Sequence, residues 1–195
     1  NTLMINGYVG HVVQRLRHRV AADTDFVNLA VGATSCLMGL EQLLLMKDTG
    51  DFDTVFVEYC INDVSITEGD DFTLWGKGFE GLIRMISRRY PKARIHCIIF
   101  VAKTAHHRRQ TDGFRRHFDA FAALYPQFSV IDVATEMSKR YPIDALYRDN
   151  MHYTERVVPE IADFIVDAVE QQADACETDG ADLPPALIAG CFEDA

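Results

Sequence analysis

Apolar residues recur along this chain with two alternating periods. Residues 8–20 follow the helical spacing of three and four, and residues 26–31 then form a short apolar run typical of a buried strand. The alternation continues, with predicted helices at 37–46, 74–90, 114–125 and 155–173 and predicted strands at 54–59, 94–101 and 128–133. Pro91 marks the end of one helix, because the residue before a proline disfavours helical backbone.

Helices that alternate with strands predict a parallel sheet covered on both faces, and hence a three-layer α/β/α sandwich. The 195 residues, 48% of them hydrophobic, suit one well-buried core and are few for two domains. We therefore expect one domain over residues 1–175. From Cys176 onward the sequence turns acidic and contains Pro and Gly, which predicts a loose tail over 176–195 with a small apolar patch at Leu187 and Ile188.

The charge balance restricts the class of partner. With 29 acidic against 19 basic side chains the net charge is −10, which repels phosphate backbones and argues against a nucleic-acid partner. No run of about 18 uninterrupted apolar residues occurs, so we predict no membrane partner. The cysteines are odd in number and include no C-x-x-C pair, which favours reduced thiols in the cytoplasm and no metal site. They are Cys36, Cys60, Cys97, Cys176 and Cys191.

Polar residues follow the ends of two predicted strands. Gly32 lies in a loop of small residues, where it would permit an unusual backbone angle and close approach of a substrate to its amide. The alternative is a tight turn in which Ser35 caps the next helix. Asn62 would direct its side-chain amide at a developing oxyanion, while Asp63 would hold the loop through its own backbone contacts. The alternative for this pair is ordinary turn chemistry.

A carboxylate precedes a histidine by three residues at Asp149 and His152. This spacing is one way to build the base half of a hydrolytic triad, since the imidazole takes a proton from a nucleophile while the carboxylate fixes its tautomer. The alternative is a solvated loop in which Asp149 or Thr154 caps the last helix.

All three segments lie where α/β proteins place their ligands, beside the carboxyl ends of parallel strands. Their order, glycine, then asparagine, then Asp-x-x-His, resembles the SGNH hydrolases, which are GDSL-like esterases and acyltransferases. The resemblance implies a flavodoxin-like parallel sheet and no cofactor. It also implies that the Gly32 amide and the Asn62 side chain stabilise an oxyanion, that His152 acts as general base and then general acid, and that Asp149 orients His152.

The chain departs from that family at two blocks. Cys60 stands where the family's Gly-x-Asn-Asp block has glycine, and the Gly-x-Ser block with an apolar strand before it does not occur. Some members carry Gly-x-Ser-Asn, and Asn1-Thr2-Leu3-Met4 followed by Gly7 resembles the residues after such a serine. We therefore expect the nucleophile immediately before Asn1, together with the first strand of the sheet. Weaker candidates are Ser35, Ser65, Thr2 and Cys60.

By this resemblance the substrate is a small ester or an acylated carbohydrate, and the reaction is hydrolysis or acyl transfer through a Ser-His-Asp triad. The alternative is a non-catalytic carbohydrate-binding or regulatory domain that keeps the fold. Nucleotide binding is disfavoured, because no Gly-x-Gly-x-x-Gly or Walker-type segment occurs. The basic segment 106–109 either contacts substrate or forms solvated surface, and Trp75 is either a substrate platform or core.

Overall fold

Three parallel strands form the sheet in the computed structural model, which describes residues 7–47, 50–173 and 182–192. They are β1 (Thr54–Val57), β2 (Arg94–Ile98) and β3 (Phe128–Ile131), in the order β1-β2-β3. Val57 lies opposite Cys97, and Cys97 lies opposite Val130. Each strand is therefore followed by its connection at the same edge of the sheet.

Helices cover both faces of this sheet. Successive strand residues point to opposite sides and therefore pack into two separate cores. Val57 and Cys97 belong to one apolar core, together with α2, α4 and α5, whereas Ile98 and Ile131 belong to a second core with α1, α6 and α8. The predicted three-layer sandwich is confirmed. The helices are α1 (Tyr8–Arg19), α2 (Cys36–Leu45), α3 (Cys60–Asp63), α4 (Thr73–Arg89), α5 (Ala105–Leu124), α6 (Val133–Arg140), α7 (Ile143–Leu146) and α8 (Val158–Ala173).

The largest difference in helix length concerns α5, which begins at Ala105 rather than at residue 114. The side chain of Thr104 accepts a hydrogen bond from the backbone N–H of His107 and so caps this helix. The first turns of α5 are polar and carry little apolar periodicity, which is why the apolar pattern missed them. The short helices α3, α6 and α7 were not predicted either.

The predicted strand at residues 26–31 is wrong. This segment has no regular structure, and Phe26, Val27, Leu29 and Val31 are between 41% and 50% exposed. A strand needs a neighbour to satisfy its backbone N–H and C=O groups, and among the described residues no strand pairs with this segment. The apolar run shows the composition of a strand without the pairing that makes one.

The loose tail predicted after Cys176 is wrong for residues 182–192, which lie against α4. The carboxyl group of Glu80 accepts hydrogen bonds from the backbone N–H groups of Leu187 and Ile188, at 2.5 and 2.7 Å. Cys176 itself lies outside the described residues. Within the part of the chain that the structure describes, no helix is long and apolar enough to cross a membrane.

Candidate active site

Asp149 and His152 are in direct contact. The two carboxyl oxygens of Asp149 lie 3.0 and 2.9 Å from Nδ1 of His152. Oδ1 also accepts the backbone N–H groups of Met151 and His152, both at 2.8 Å. These donors, first the Met151 amide and then the His152 side chain, hold the pKa of Asp149 well below its usual range. The carboxylate is thus ionised at neutral pH and fixes the orientation of the imidazole.

A short antiparallel bridge holds this turn in place. Tyr147 and Tyr153 pair across it, and the backbone N–H of Arg148 donates to the carbonyl of His152 at 2.8 Å. The Lys103 amide, in the connection after β2, donates to the carbonyl of Asn150 at 2.8 Å. The turn is therefore attached to the carboxyl edge of the sheet. Asp149 serves this turn rather than capping the last helix, and Thr154 makes no side-chain cap there.

His152 lines an open cleft at the same edge of the sheet. The cleft has a volume of about 410 Å³, including the solvent space at its mouth. Most of its surface is apolar, with one acidic side chain, Glu58, directly after β1. The other lining residues are Tyr8, Ile61, Phe100, Met151, Tyr153, Val158 and Ile161. A half-exposed imidazole beside an apolar cleft is an arrangement suited to acyl chemistry, because the apolar wall excludes water from one side of the reacting group.

Asn62 occupies α3, the single helical turn that follows β1. Its neighbour Ile61 lines the cleft together with His152. The hydroxyl of Ser65 donates to the backbone carbonyl of Asn62 at 2.7 Å, which fixes the end of this turn. The structure thus brings the Asn62 turn and His152 to the same edge of the sheet.

Gly32 lies in the exposed connection between α1 and α2. The unusual backbone angle expected of this loop occurs at the next residue, because Ala33 has φ 59° whereas Gly32 is not among the residues with positive φ. Ser35 occupies the N-cap position of α2 but makes no side-chain cap. Instead, Oδ1 of Asp63 accepts the Cys36 amide at 2.7 Å, which joins the Gly32 loop to the Asn62 turn.

The contacts of Asp63 were not foreseen. It was expected to hold its own loop, yet its second oxygen accepts Nε1 of Trp75 at 2.8 Å. Burial is the first cause that raises the pKa of Asp63, to about 7. The sequence signal was the acidic residue next to Asn62. Its partners are 27 and 12 residues away in sequence, so local pattern gave no indication of them.

Among the alternative nucleophiles, Cys60 is 2% exposed, and its hydrogen bond with Cys97 and then its burial raise the pKa of its thiol well above the ordinary value. A thiol held protonated is a weak nucleophile, so Cys60 acts as a small core residue. The Ser65 hydroxyl is engaged with its own turn. Thr2 lies outside the described residues.

Trp75 is fully buried and stacks on Phe79, which makes it core rather than a substrate platform. The basic segment 106–109 forms the first turns of α5, where His106, Arg108 and Arg109 are exposed. Cys36, Cys60, Cys97 and Cys191 are free thiols. Within residues 7–47, 50–173 and 182–192, no group of three or more His, Cys, Asp or Glu side chains is arranged to hold a metal ion.

No protein-family model matches the chain, and no curated protein is significantly similar to it in sequence. Solved structures are similar in fold. A two-domain esterase active on acetylated mannans, crystallised with mannopentaose, matches 97% of this chain with a TM-score of 0.69 and 15% identity. Only 49% of that esterase is covered, so the chain spans about half its length.

Two shorter proteins match over most of their own length. A member of the lipolytic G-D-S-L family from Veillonella parvula gives a TM-score of 0.63 at 15% identity, over 86% of this chain and 89% of its own. An acetyl xylan esterase from Geobacillus stearothermophilus gives 0.60 at 16% identity, over 87% and 82%. The chain therefore has the fold of the SGNH or GDSL-like hydrolases, as its sequence predicted.

Proposed function

We propose that this chain is the catalytic part of an ester hydrolase that removes small acyl groups, acetyl above all, from a carbohydrate. The observation that carries the proposal is the contact between Asp149 and Nδ1 of His152 in a turn beside an apolar cleft. A carboxylate bound at Nδ1 keeps the proton there and leaves Nε2 as the base. His152 then takes the proton of a serine hydroxyl and later gives it to the leaving alcohol.

The oxyanion of the tetrahedral intermediate needs donors placed before the reaction starts. The candidates are the Gly32 amide and the side-chain amide of Asn62, whose segments Asp63 joins. Removing one such donor typically lowers the turnover number by about 10²-fold to 10³-fold.

The nucleophile in this proposal is the serine expected immediately before Asn1. A serine block of this kind follows a strand, and two observations support a further strand on this side of the sheet. Among the described residues β1 has one strand partner, β2. Residues 26–31, which precede β1 by one helix, have the apolar composition of a strand although most of their side chains are exposed.

The proposed substrate class follows from the fold and the cleft. Two of the similar structures are esterases of acetylated mannan and acetylated xylan. A shallow cleft with apolar walls and one carboxyl group accommodates a small acyl group better than a long chain. Water as acceptor gives hydrolysis, and a sugar hydroxyl as acceptor gives transfer.

The test uses the full-length protein that contains this chain. We expect a fluorophosphonate probe to label one serine, mapped by peptide mass spectrometry to the residue before Asn1, and acetate release from acetylated mannan. His152→Ala should abolish both, with a loss of at least about 10³-fold in turnover.

The matched control is His18→Ala, because His18 is exposed in the last turn of α1, away from the cleft. This variant should keep full activity and labelling. A full-length protein that binds acetylated carbohydrate but neither labels nor releases acetate would instead be a non-catalytic binding domain. Labelling of Ser35 or Ser65 would contradict the assigned nucleophile.

A further inference from the structure

Asp63 is a buried carboxyl group, only 1% exposed. Aspartate is almost never fully buried unless other groups pair with it. It ends α3, directly after Asn62. Each of its oxygens accepts a hydrogen bond from a different element: Oδ1 from the backbone N–H of Cys36 at 2.7 Å, and Oδ2 from Nε1 of Trp75 at 2.8 Å. One side chain therefore joins three segments.

The bond to Cys36 takes the place of a local helix cap. Cys36 is the first residue of α2, and the side chain of the N-cap residue Ser35 makes no cap hydrogen bond. The first amides of a helix have no partner within the helix, and a carboxylate is the acceptor that best suits them. The start of α2, and with it the loop from Gly32, is thereby attached to the turn that carries Asn62.

The bond to Trp75 attaches the carboxyl group to the rigid interior. Trp75 is fully buried, and its ring lies 5.3 Å from the ring of Phe79 and 4.7 Å from that of Phe114, measured between centroids. An indole held on several sides gives its N–H a fixed direction. The carboxyl group therefore has a fixed position, whereas the loop at residues 26–35 is largely exposed.

We infer that Asp63 is a positioning residue that sets the distance between the two oxyanion donors, the Gly32 amide and the Asn62 side chain. This inference rests on the proposed function. Oxyanion donors act at 2.7 to 3.1 Å, and a displacement of about 1 Å costs about 10²-fold in rate. The Cys36 bond attaches the end of the loop that carries Gly32 to the turn that carries Asn62, so its loss would let the two donors move apart.

The protonation state of Asp63 bears on this role. Burial is the main cause that raises its pKa to about 7, and the groups that face it are the thiols of Cys36 and Cys60 and the phenol of Tyr59. The ionised carboxylate accepts both N–H donors fully, whereas the protonated form keeps one good acceptor. The positioning effect should therefore be weak below about pH 6 and complete above about pH 8.

The experiment compares Asp63→Asn with Glu80→Gln in the active full-length protein. Both substitutions replace a buried carboxyl group by an amide of the same shape, and both carboxyl groups accept hydrogen bonds from residues distant in sequence, but Glu80 lies on α4 away from the cleft. We expect Asp63→Asn to lower kcat by about 30-fold to 100-fold with KM within about threefold. Glu80→Gln should leave kcat within about twofold.

The ratio of wild-type kcat to Asp63→Asn kcat should rise between about pH 6 and 8, since the ionisable groups other than Asp63 are common to both proteins and cancel from the ratio. If Asp63→Asn does not fold, Asp63→Glu tests the inference instead. Glutamate keeps the carboxyl group but displaces it by one methylene, so we expect kcat to fall by at least about tenfold. Equal kcat in the wild type and the folded variant, or a flat ratio, overturns the inference while the esterase activity stands. A wild-type protein without esterase activity overturns both.

Discussion

Asp149 and Glu80 are two carboxyl groups with nearly the same set of donors. Asp149 accepts the amides of two successive residues, Met151 and His152, and the ring of His152. Glu80 accepts the amides of Leu187 and Ile188 and the hydroxyl of Tyr125 at 2.5 Å. In each, two backbone donors and one side-chain donor surround one carboxyl group.

The two regions differ in burial and in sequence distance. The Asp149 side chain is 47% exposed and its partners are two and three residues away, whereas Glu80 is 0% exposed and its backbone partners are 107 and 108 residues away. An exposed local set adds little to folding, because water competes for the same donors. A buried long-range set is costly to break, since it leaves buried donors without partners.

The same hydrogen-bonding device therefore serves two purposes. At Asp149 the local turn orients a half-exposed imidazole, which in the proposed function acts as the base, whereas at Glu80 the buried group attaches residues 182–192 to α4. Arg84 extends the second set, since its Nη1 donates to the Pro184 carbonyl at 2.6 Å and to the Tyr125 hydroxyl at 3.0 Å. Substitutions in the first region should change activity, and substitutions in the second should change stability.

The largest expected effect is that of Asp149→Asn on turnover. An asparagine still accepts the Met151 and His152 amides through its oxygen, so the turn should keep its shape. Its NH₂ group, however, would donate to Nδ1 of His152 and place the imidazole proton on Nε2, which removes the base. We expect kcat for ester hydrolysis to fall by about 10³-fold to 10⁴-fold.

The control measurement for Asp149→Asn is urea unfolding, and its midpoint should stay close to that of the wild type because Asp149 is exposed. A large loss of stability together with the loss of activity would show that the turn itself is needed for folding, and the contrast with Glu80 would fail. Retained turnover would remove Asp149 from the proposed triad.

The second prediction concerns Glu80→Gln. The remaining oxygen would accept two of the three donors, but the new NH₂ group would face the Ile188 amide, where Oε2 accepts at 2.7 Å in the wild type. A buried donor without an acceptor costs about 1 to 3 kcal/mol, so we expect a loss of about 2 kcal/mol in the free energy of unfolding. Urea denaturation measures it.

The matched control for this loss is Glu41→Gln, because Glu41 is exposed on α2 and should change stability by less than about 0.5 kcal/mol. Equal losses for the two variants would mean that the Glu80 contacts add nothing beyond a surface glutamate. The prediction that substitutions in the Glu80 region change stability would then be wrong.

The sequence allowed the Asp149 and His152 contact to be predicted because both residues lie in one short turn, where spacing fixes geometry. The same was true of the sandwich, since β1 to β3, α4 and the second half of α5 each carry a recognisable apolar pattern. Glu80 and Asp63 could not be assigned this way, because their partners lie far along the chain. The strand predicted at residues 26–31 was wrong for a related reason, because strand composition is a local property whereas strand formation depends on a neighbouring strand.

The smallest predicted effect distinguishes two glycines of α4 that face residues 182–192. A Cβ at Gly76 would meet the flexible end of Ile188, Cδ1, at 2.4 Å, whereas a Cβ at Gly81 would meet the backbone oxygen of Phe192 at 2.6 Å. Alanine is favoured over glycine inside a helix by about 1 kcal/mol in both positions. The side chain of Ile188 can turn aside, but the backbone at Phe192 must move.

We therefore expect Gly76→Ala to leave the docking of residues 182–192 unchanged and Gly81→Ala to loosen it by about 1.4 kcal/mol, a tenfold change in the equilibrium. Hydrogen exchange at the Leu187 and Ile188 amides, which donate to Glu80, measures this opening directly. It should be about tenfold faster in Gly81→Ala alone. Equal exchange rates in the two variants would mean that Glu80 holds residues 182–192 without help from the space at Gly81. A change in kcat in either variant would contradict the prediction that this region affects stability and not activity.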